Sequence, residues 1–139
     1  ATSCYDRAQS TPFSKAVLAE LGVNNGREII QAVYLNEKPV PTVARLAPTV
    51  LAFAERDATA HAIVQQAVQD LAEQAHTAMQ RLKMPQPTIT FAGSILQHNN
   101  PVSLGLAAAL NLPAIPQALY RPVIGAAILA QLTRKDANS

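Results

Sequence analysis

One amphipathic pattern dominates this chain: from about Ala58 to Lys83, apolar residues recur at every third or fourth position. This spacing puts them on one face of a helix, while the opposite face carries glutamines and charges. The apolar positions are Ile63, Val64, Ala67, Val68, Leu71, Ala72, Ala75, Met79 and Leu82. Asp57 precedes the pattern and is expected to cap the helix. A long helix with one apolar face needs a layer to pack against, so the sequence predicts a mostly α domain.

Composition determines what the core of that domain is made of. Of the 139 residues, 49% are hydrophobic but only 4% are aromatic. The core is therefore built chiefly from Ala, Leu, Val and Ile, which favours closely packed helices. The length suits one domain covering residues 1–139.

Capping and breaking residues predict further helices on both sides of the long one. A first helix opens at Thr11 and Pro12 and ends at Gly22, where glycine can adopt a left-handed conformation. The other predicted helices run from about Arg27 to Leu35, from Thr42 to Ala54 with a kink at Pro48, from Val102 to Leu110, and from Pro122 onward.

A short β-prone run follows the long helix. Thr88–Phe91 holds the densest cluster of β-branched and aromatic residues, and it predicts a buried strand. Gln117–Tyr120 is a candidate second strand. The first run ends at Gly93, where a positive φ is expected, and Ser94 can cap a new helical turn. Two interpretations stay open, an ordinary strand-to-helix turn and a turn that contacts a ligand.

Charge and cysteine content exclude several kinds of partner. The formal net charge is +2, and Arg134-Lys135 is the longest basic run, so a concentrated nucleic-acid-binding face is not expected. The single Cys4 rules out an internal disulfide and fits a reducing compartment, which predicts the cytoplasm. Membrane spanning is not expected, because no segment reaches about 20 consecutive apolar residues.

Residues that could carry out catalysis are sparse. Ser94 is not a hydrolase nucleophile, because the turn lacks the glycine two places after the serine. His61, His76 and His98 are too scattered to form a zinc site. The acidic residues include no close pair in an apolar context, so no catalytic acid and base are assigned.

Three segments in a fixed order resemble a known family. They are Val43–Val50 with Ala54–Asp57 and the helix holding Ala67–Ala72, then the strand ending at Gly93-Ser94, then Pro122-Val123-Ile124-Gly125-Ala126, and the Leu-rich segment Lys15–Tyr34 precedes them. This order is similar to the carboxyl-terminal half of the BadF/BadG/BcrA/BcrD-type ATPases, which include N-acetylglucosamine kinase and glucosamine kinases. Two positions depart from the family pattern: Ala92 stands in place of a glycine, and Arg56 stands in place of the glycine before Asp57.

The resemblance implies the actin/hexokinase-like (ribonuclease H-like) fold, in which two lobes close on ATP. It implies that Gly93 and Ser94 contact the nucleotide, and that the whole protein phosphorylates N-acetylglucosamine or glucosamine with ATP and Mg²⁺. The amino-terminal lobe is absent from this sequence, so the piece alone is expected to be inactive.

An isolated lobe leads to one expectation about assembly, and one alternative function also stays open. The lobe should self-associate, as a symmetric homodimer or by exchange of its closing helix, because the apolar faces of Val102–Leu110 and Val123–Leu132 would otherwise stay uncovered. The alternative to the kinase is a helical regulatory or protein-interaction module that does not bind nucleotide.

Overall fold

A computed structural model describes residues 10–35, 39–84, 87–120 and 122–136. Within these ranges the chain is mostly helical and forms seven α-helices. They are α1 (Pro12–Leu21), α2 (Gly26–Tyr34), α3 (Pro39–Ala44), α4 (Ala47–Phe53), α5 (Ala58–Arg81), α6 (Pro101–Ala109) and α7 (Pro122–Asp136). The described residues fall into two compact units, which meet in sequence between Ala67 and Val68. We call them the amino-terminal and carboxyl-terminal units.

The first helix begins and ends as its sequence predicts. The Thr11 hydroxyl accepts a hydrogen bond from the Ser14 amide at 3.1 Å, and the Ser14 hydroxyl accepts one from the Thr11 amide at 2.9 Å. This reciprocal pair satisfies two amides at the helix start, and Pro12 needs no amide partner there. At the other end Gly22 has φ 68°, a left-handed conformation that glycine adopts without strain.

Pro48 interrupts the predicted helix completely, whereas the sequence analysis expected only a kink. Instead of one kinked helix from Thr42 to Ala54, the structure has α3 and α4 separated by a turn at Arg45 and Leu46. Pro48 lies in the first turn of α4, where the missing amide hydrogen has no partner to lose. Restarting the helix costs less than keeping a proline in a helix interior.

The amino-terminal unit has a small aromatic and aliphatic core. Phe13 and Val17 of α1 and Ala60 of α5 are buried there. The Phe13 and Phe53 ring centroids lie 5.7 Å apart with the planes tilted by 50°, a favourable arrangement for an aromatic pair. Partly buried residues complete this cluster: Leu21, Leu46, Val50 and Phe53.

The predicted long helix, α5, is confirmed with its cap. The Asp57 carboxylate accepts hydrogen bonds from the Thr59 and Ala60 amides at 2.9 and 3.0 Å, so it satisfies two amides of the first turn. Every fourth side chain from Ala60 to Ala72 is buried, as an amphipathic helix requires, namely Ala60, Val64, Val68 and Ala72, whereas Ile63, which was predicted on the apolar face, is 42% exposed.

The core of the carboxyl-terminal unit joins α5 and α6 to the segment between them. Ala72, Phe91, Leu106 and Ala107 are buried together. A methyl group added at Gly105 would lie 2.8 Å from Cγ2 of Val68, so the two helices approach as closely as glycine allows. The exposed face predicted for Val102–Leu110 is found in part: Leu104 is 52% exposed, whereas Val102, Leu106 and Ala107 pack in the interior.

The predicted strands are not formed, so the small β element is a correction to the expected fold. Thr88–Phe91 has the alternation of a strand, with Thr88 and Thr90 exposed and Phe91 buried. Among the described residues, however, its one backbone hydrogen bond to another segment runs from the Phe91 amide to the Pro116 carbonyl at 3.2 Å. Pro113 and Pro116 in the facing segment have no amide to donate, so a ladder cannot extend there. Gln117–Tyr120 is likewise irregular.

The last helix, α7, exposes most of its described apolar side chains. Val123 is 80% exposed and Leu129 is 64% exposed, with Ile124 and Ile128 also open to solvent. In the part of the chain that the structure describes, no helix combines the length and apolar character needed to cross a bilayer.

Candidate functional site

The turn at Gly93 follows directly on the core. Phe91 is 3% exposed and anchors the segment before the turn. Two residues later Gly93 has φ 94°, so the positive φ predicted from the sequence is confirmed. The Gly93 carbonyl then accepts a hydrogen bond from the Gln97 amide at 3.1 Å, which closes one helical turn. A buried residue thus fixes one end of a turn whose glycine and serine both face solvent.

The space beside Gly93 is open. A side chain built there would meet no heavy atom within 4 Å. Within the described residues the amides of Gly93 and Ser94 donate no backbone hydrogen bond, so both remain available to a ligand. A bound molecule can therefore approach the backbone closely and accept from two adjacent amides.

The helical turn expected at Ser94 is present, closed by the bond from the Gln97 amide to the Gly93 carbonyl, but it does not continue into the next helix. Helix α6 starts at Pro101, and Asn100 is its N-cap. The Asn100 Oδ1 accepts hydrogen bonds from the Val102 and Ser103 amides at 2.9 and 3.1 Å. The eight residues from Gly93 to Asn100 thus form a connection that ends at this cap.

Asn100 also forms hydrogen bonds with the backbone of the connection itself. Its Nδ2 donates to the Ile95 carbonyl at 2.5 Å and to the His98 carbonyl at 3.0 Å. Ser103, which is fully buried, places its hydroxyl 2.6 Å from the same His98 carbonyl. One amide side chain and one hydroxyl therefore fix the path of the chain after the glycine turn.

Replacing Asn100 by aspartate separates these two roles. Asn100→Asp keeps both accepted bonds of the cap but loses both donated bonds, and it turns a carboxylate oxygen toward two carbonyls. We expect it to lower the free energy of unfolding by about 1–3 kcal/mol, measured by urea denaturation. The neighbouring Asn99→Asp, on an exposed residue, should change stability by less than about 0.5 kcal/mol. Equal stability of the two variants would contradict the assigned hydrogen bonds.

The other candidate residues have structural roles or remain apart. Asp57 is the cap of α5, as predicted. The His61 ring lies 3.3 Å from the Ala54 carbonyl, His76 lies further along α5, and His98 lies in the connection before α6. Among the described residues, no three His, Cys, Asp or Glu side chains come together as metal ligands do.

Two shallow depressions lie away from the glycine turn, along the last turns of α5. Asp70, Glu73 and Arg81 line one, and His76, Met79 and Met84 line the other. Neither depression includes Gly93 or Ser94 among its described lining residues. Neither depression would therefore enclose a ligand bound at the turn.

Comparison with protein-family models, with curated proteins and with solved structures found no match to this chain. The geometry of the turn and the resemblance of its motifs are therefore the grounds for a function.

The sequence analysis singled out Gly93 and Ser94 as candidate site residues. It did not single out the residues that hold the Gly93–Asn100 connection in place. Asn100, Pro101 and Ser103 form an N-cap, a first-turn proline and a reciprocal cap, a recognisable helix-start pattern. Because this pattern is visible in the sequence, the start of α6 could have been predicted from it. The additional bonds from Asn100 back to Ile95 and His98 depend on the loop path and leave no sequence signature.

Proposed function

We propose that this chain is the nucleotide-facing part of the carboxyl-terminal lobe of an ATP-dependent kinase. The kinase resembles the BadF/BadG/BcrA/BcrD type, resides in the cytoplasm and transfers the γ-phosphate of ATP to N-acetylglucosamine or glucosamine. This chain contributes the glycine turn. An amino-terminal lobe contributes the sugar site and the groups that act on the sugar hydroxyl.

The observation that carries the proposal is the open glycine at position 93. Its φ of 94° and the free space beside it suit close contact between the backbone and a flat ring or a phosphate. The exposed Ser94 adds a hydroxyl at the same point. Two free amides and a hydroxyl are groups that hold a nucleotide without any charged side chain.

Elements on both sides of the turn support the proposal by their order. The capped helix α5 precedes the turn, and α7 begins at Pro122 in the segment that resembles the closing motif of the family. The correspondence thus extends over two helices and the turn between them.

In the proposed whole protein, the segment before the glycine turn pairs with a neighbouring strand. Within the described residues the amides of Thr88, Ile89 and Thr90 make no backbone hydrogen bond, and their side chains alternate in burial. Such a segment becomes a strand when a neighbouring strand supplies carbonyl and amide partners. The amino-terminal part of the kinase supplies that neighbour in the proposed arrangement.

The residues present fit the adenosine side of an ATP site better than its metal side. The turn offers backbone donors and open space, whereas the described acidic side chains form no metal-binding group. Mg²⁺ would therefore be held by the phosphates of ATP and by carboxylates of the amino-terminal lobe. When bound, MgATP supplies the transferable phosphoryl group, and this chain's part is to orient the nucleotide.

Paired glycine variants test the proposal. Gly22 and Gly93 both have positive φ, and neither has a neighbour within 4 Å of an added side chain, so valine strains both backbones alike. We expect Gly93→Val and Gly22→Val each to lower the free energy of unfolding by about 1–3 kcal/mol. Gly93→Val alone should abolish saturation transfer from the protein to the adenine protons of ATP in NMR.

Two outcomes of that experiment would count against the nucleotide site. Equal adenine signals in the two variants would place the contact elsewhere, and no signal in the unmodified chain at millimolar ATP would remove it. ADP and GTP, measured in parallel, show whether the contact is to the base or to the phosphates.

A second candidate is a helical interaction module, which the exposed apolar residues favour. In α2, Ile30 is 57% exposed and Tyr34 is 79% exposed, while α7 exposes Val123 by 80%. Large apolar side chains exposed on a helix, as in each of these two, are typical of surfaces that bind another protein. Such a module would bind its partner through these exposed surfaces, and it would give no adenine signal in the NMR experiment.

We expect the chain to form homodimers through α7. The pair Val123→Glu and Ile124→Glu adds charge to the apolar surface of that helix, so it should shift sedimentation equilibrium toward monomer at micromolar concentration. Leu119→Glu is a matched control in the same unit, because Leu119 is 94% exposed but lies outside any helix. A wild-type chain that stays monomeric at all concentrations would contradict this prediction.

A further inference from the structure

Asn25 and Gly26 form an Asn-Gly step at the start of α2. In such a step the backbone nitrogen of glycine can attack the side-chain amide carbon of asparagine. Glycine permits this ring closure better than other residues, because it has no side chain to obstruct the approach and its backbone is the most mobile. The reaction needs no enzyme or cofactor.

In the folded chain this asparagine is held as a helix cap. The Asn25 Oδ1 accepts hydrogen bonds from the Arg27 and Glu28 amides, both at 3.1 Å, and Asn25 has ψ 168°. The Asn25 Nδ2 donates to Glu28 Oε1 at 2.6 Å, and the other carboxylate oxygen accepts from the Asn24 amide at 2.8 Å. Ring closure rotates the Gly26 nitrogen toward the side chain, so these bonds must first open.

We infer that Asn25 is a site of spontaneous deamidation, controlled by opening of the first turn of α2, and that the product loosens this turn. The Gly26 nitrogen loses its proton and bonds to Cγ of Asn25, while the bond from Cγ to Nδ2 breaks and ammonia leaves. Water then opens the five-membered imide at either carbonyl. The products are aspartate and isoaspartate at position 25.

The neighbouring Glu28 determines the effect of the product. Aspartate is ordinarily as good an N-cap as asparagine, and its charge suits a helix start. Here, however, the new carboxylate oxygen replaces an amide nitrogen that donated to Glu28 Oε1 at 2.6 Å. A hydrogen bond becomes a repulsion between like charges. Isoaspartate adds a methylene to the backbone and displaces the cap altogether.

Other asparagines of the same chain serve as internal controls for the chemistry. Asn24 precedes Asn25, which hinders attack, and Asn100 precedes Pro101, whose nitrogen carries no proton. After incubation of the whole chain at pH 8, tryptic mass spectrometry should find deamidation at Asn25 and intact Asn24 and Asn100. Gly26→Ala should slow the reaction several-fold, and urea below the unfolding transition should accelerate it. Modification of Asn24 at the same rate as Asn25 would overturn the assignment.

The effect on the helix is tested with variants that do not depend on the slow reaction. Asn25→Asp should raise hydrogen exchange of the α2 amides several-fold, whereas Asn25→Asp combined with Glu28→Gln should restore the wild-type rates. Glu28→Gln alone keeps an acceptor for Nδ2 and is the control. Unchanged exchange in Asn25→Asp, or equally fast exchange in the double variant, would overturn the role given to Glu28.

Discussion

Phe91→Ala is expected to lower the free energy of unfolding by about 3–5 kcal/mol, the usual cost of removing a buried aromatic side chain. Phe91 is 3% exposed and packs with Ala72, Leu106 and Ala107, so truncating it leaves a cavity in the core of the carboxyl-terminal unit. A loss of this size is a large share of the stability of a small domain. Thermal or urea unfolding of the variant measures it directly.

Thr90→Ala is the matched control for that change. Thr90 is exposed and adjacent in sequence, so its truncation should alter stability by less than about 0.5 kcal/mol. The contrast tests the alternating burial of the segment before the turn. Similar effects of the two substitutions would contradict the described core.

Gly105→Ala is expected to destabilise the protein by about 1–3 kcal/mol although alanine is the better helix former. The added methyl would lie 2.8 Å from Cγ2 of Val68, and valine is a short, stiff side chain that cannot swing aside cheaply. The helices must separate or Val68 must leave its rotamer. The clash therefore outweighs the gain of about 1 kcal/mol in helix propensity.

Two further variants isolate that clash. Gly125→Ala makes the same change in α7, where nothing lies within 4 Å, and it should stabilise the chain by up to about 1 kcal/mol. Val68→Ala alone leaves a cavity, but combined with Gly105→Ala it should cost less than the sum of the two single changes. Simple additivity, or a stabilising Gly105→Ala, would mean that the helices do not meet at Gly105.

The helices could be predicted from the sequence because their signals are local. The cap residues Thr11 and Asp57, the terminating Gly22 and the spacing of apolar residues along α5 all act within a few positions. Such signals determine where a helix starts, where it ends and which face is buried. The structure confirms these starts and ends and the buried face of α5, except that Ile63, predicted on that face, is 42% exposed.

The strand could not be predicted in the same way, because a strand exists only through its partner. Thr88–Phe91 has the composition and the alternating burial of a strand, yet the facing segment contains Pro113 and Pro116, and only the bond from Phe91 to Pro116 forms. The break at Pro48 is a related case, because proline at the start of a new helix competes with proline in a kink. The positive φ at Gly93 was predicted correctly, since it follows from the turn itself.

The most direct test of nucleotide contact at the glycine turn is a titration of this chain with MgATP, followed by the amide resonances of its five glycines. Gly93 should shift together with Ser94, while Gly22, Gly26, Gly105 and Gly125 should stay in place. Half-saturation is expected above about 1 mM, because in the proposed kinase half of the site belongs to the other lobe. An unmoved Gly93, or a monomeric chain that binds ATP at micromolar concentration, would contradict the account of this chain as half of an ATP site.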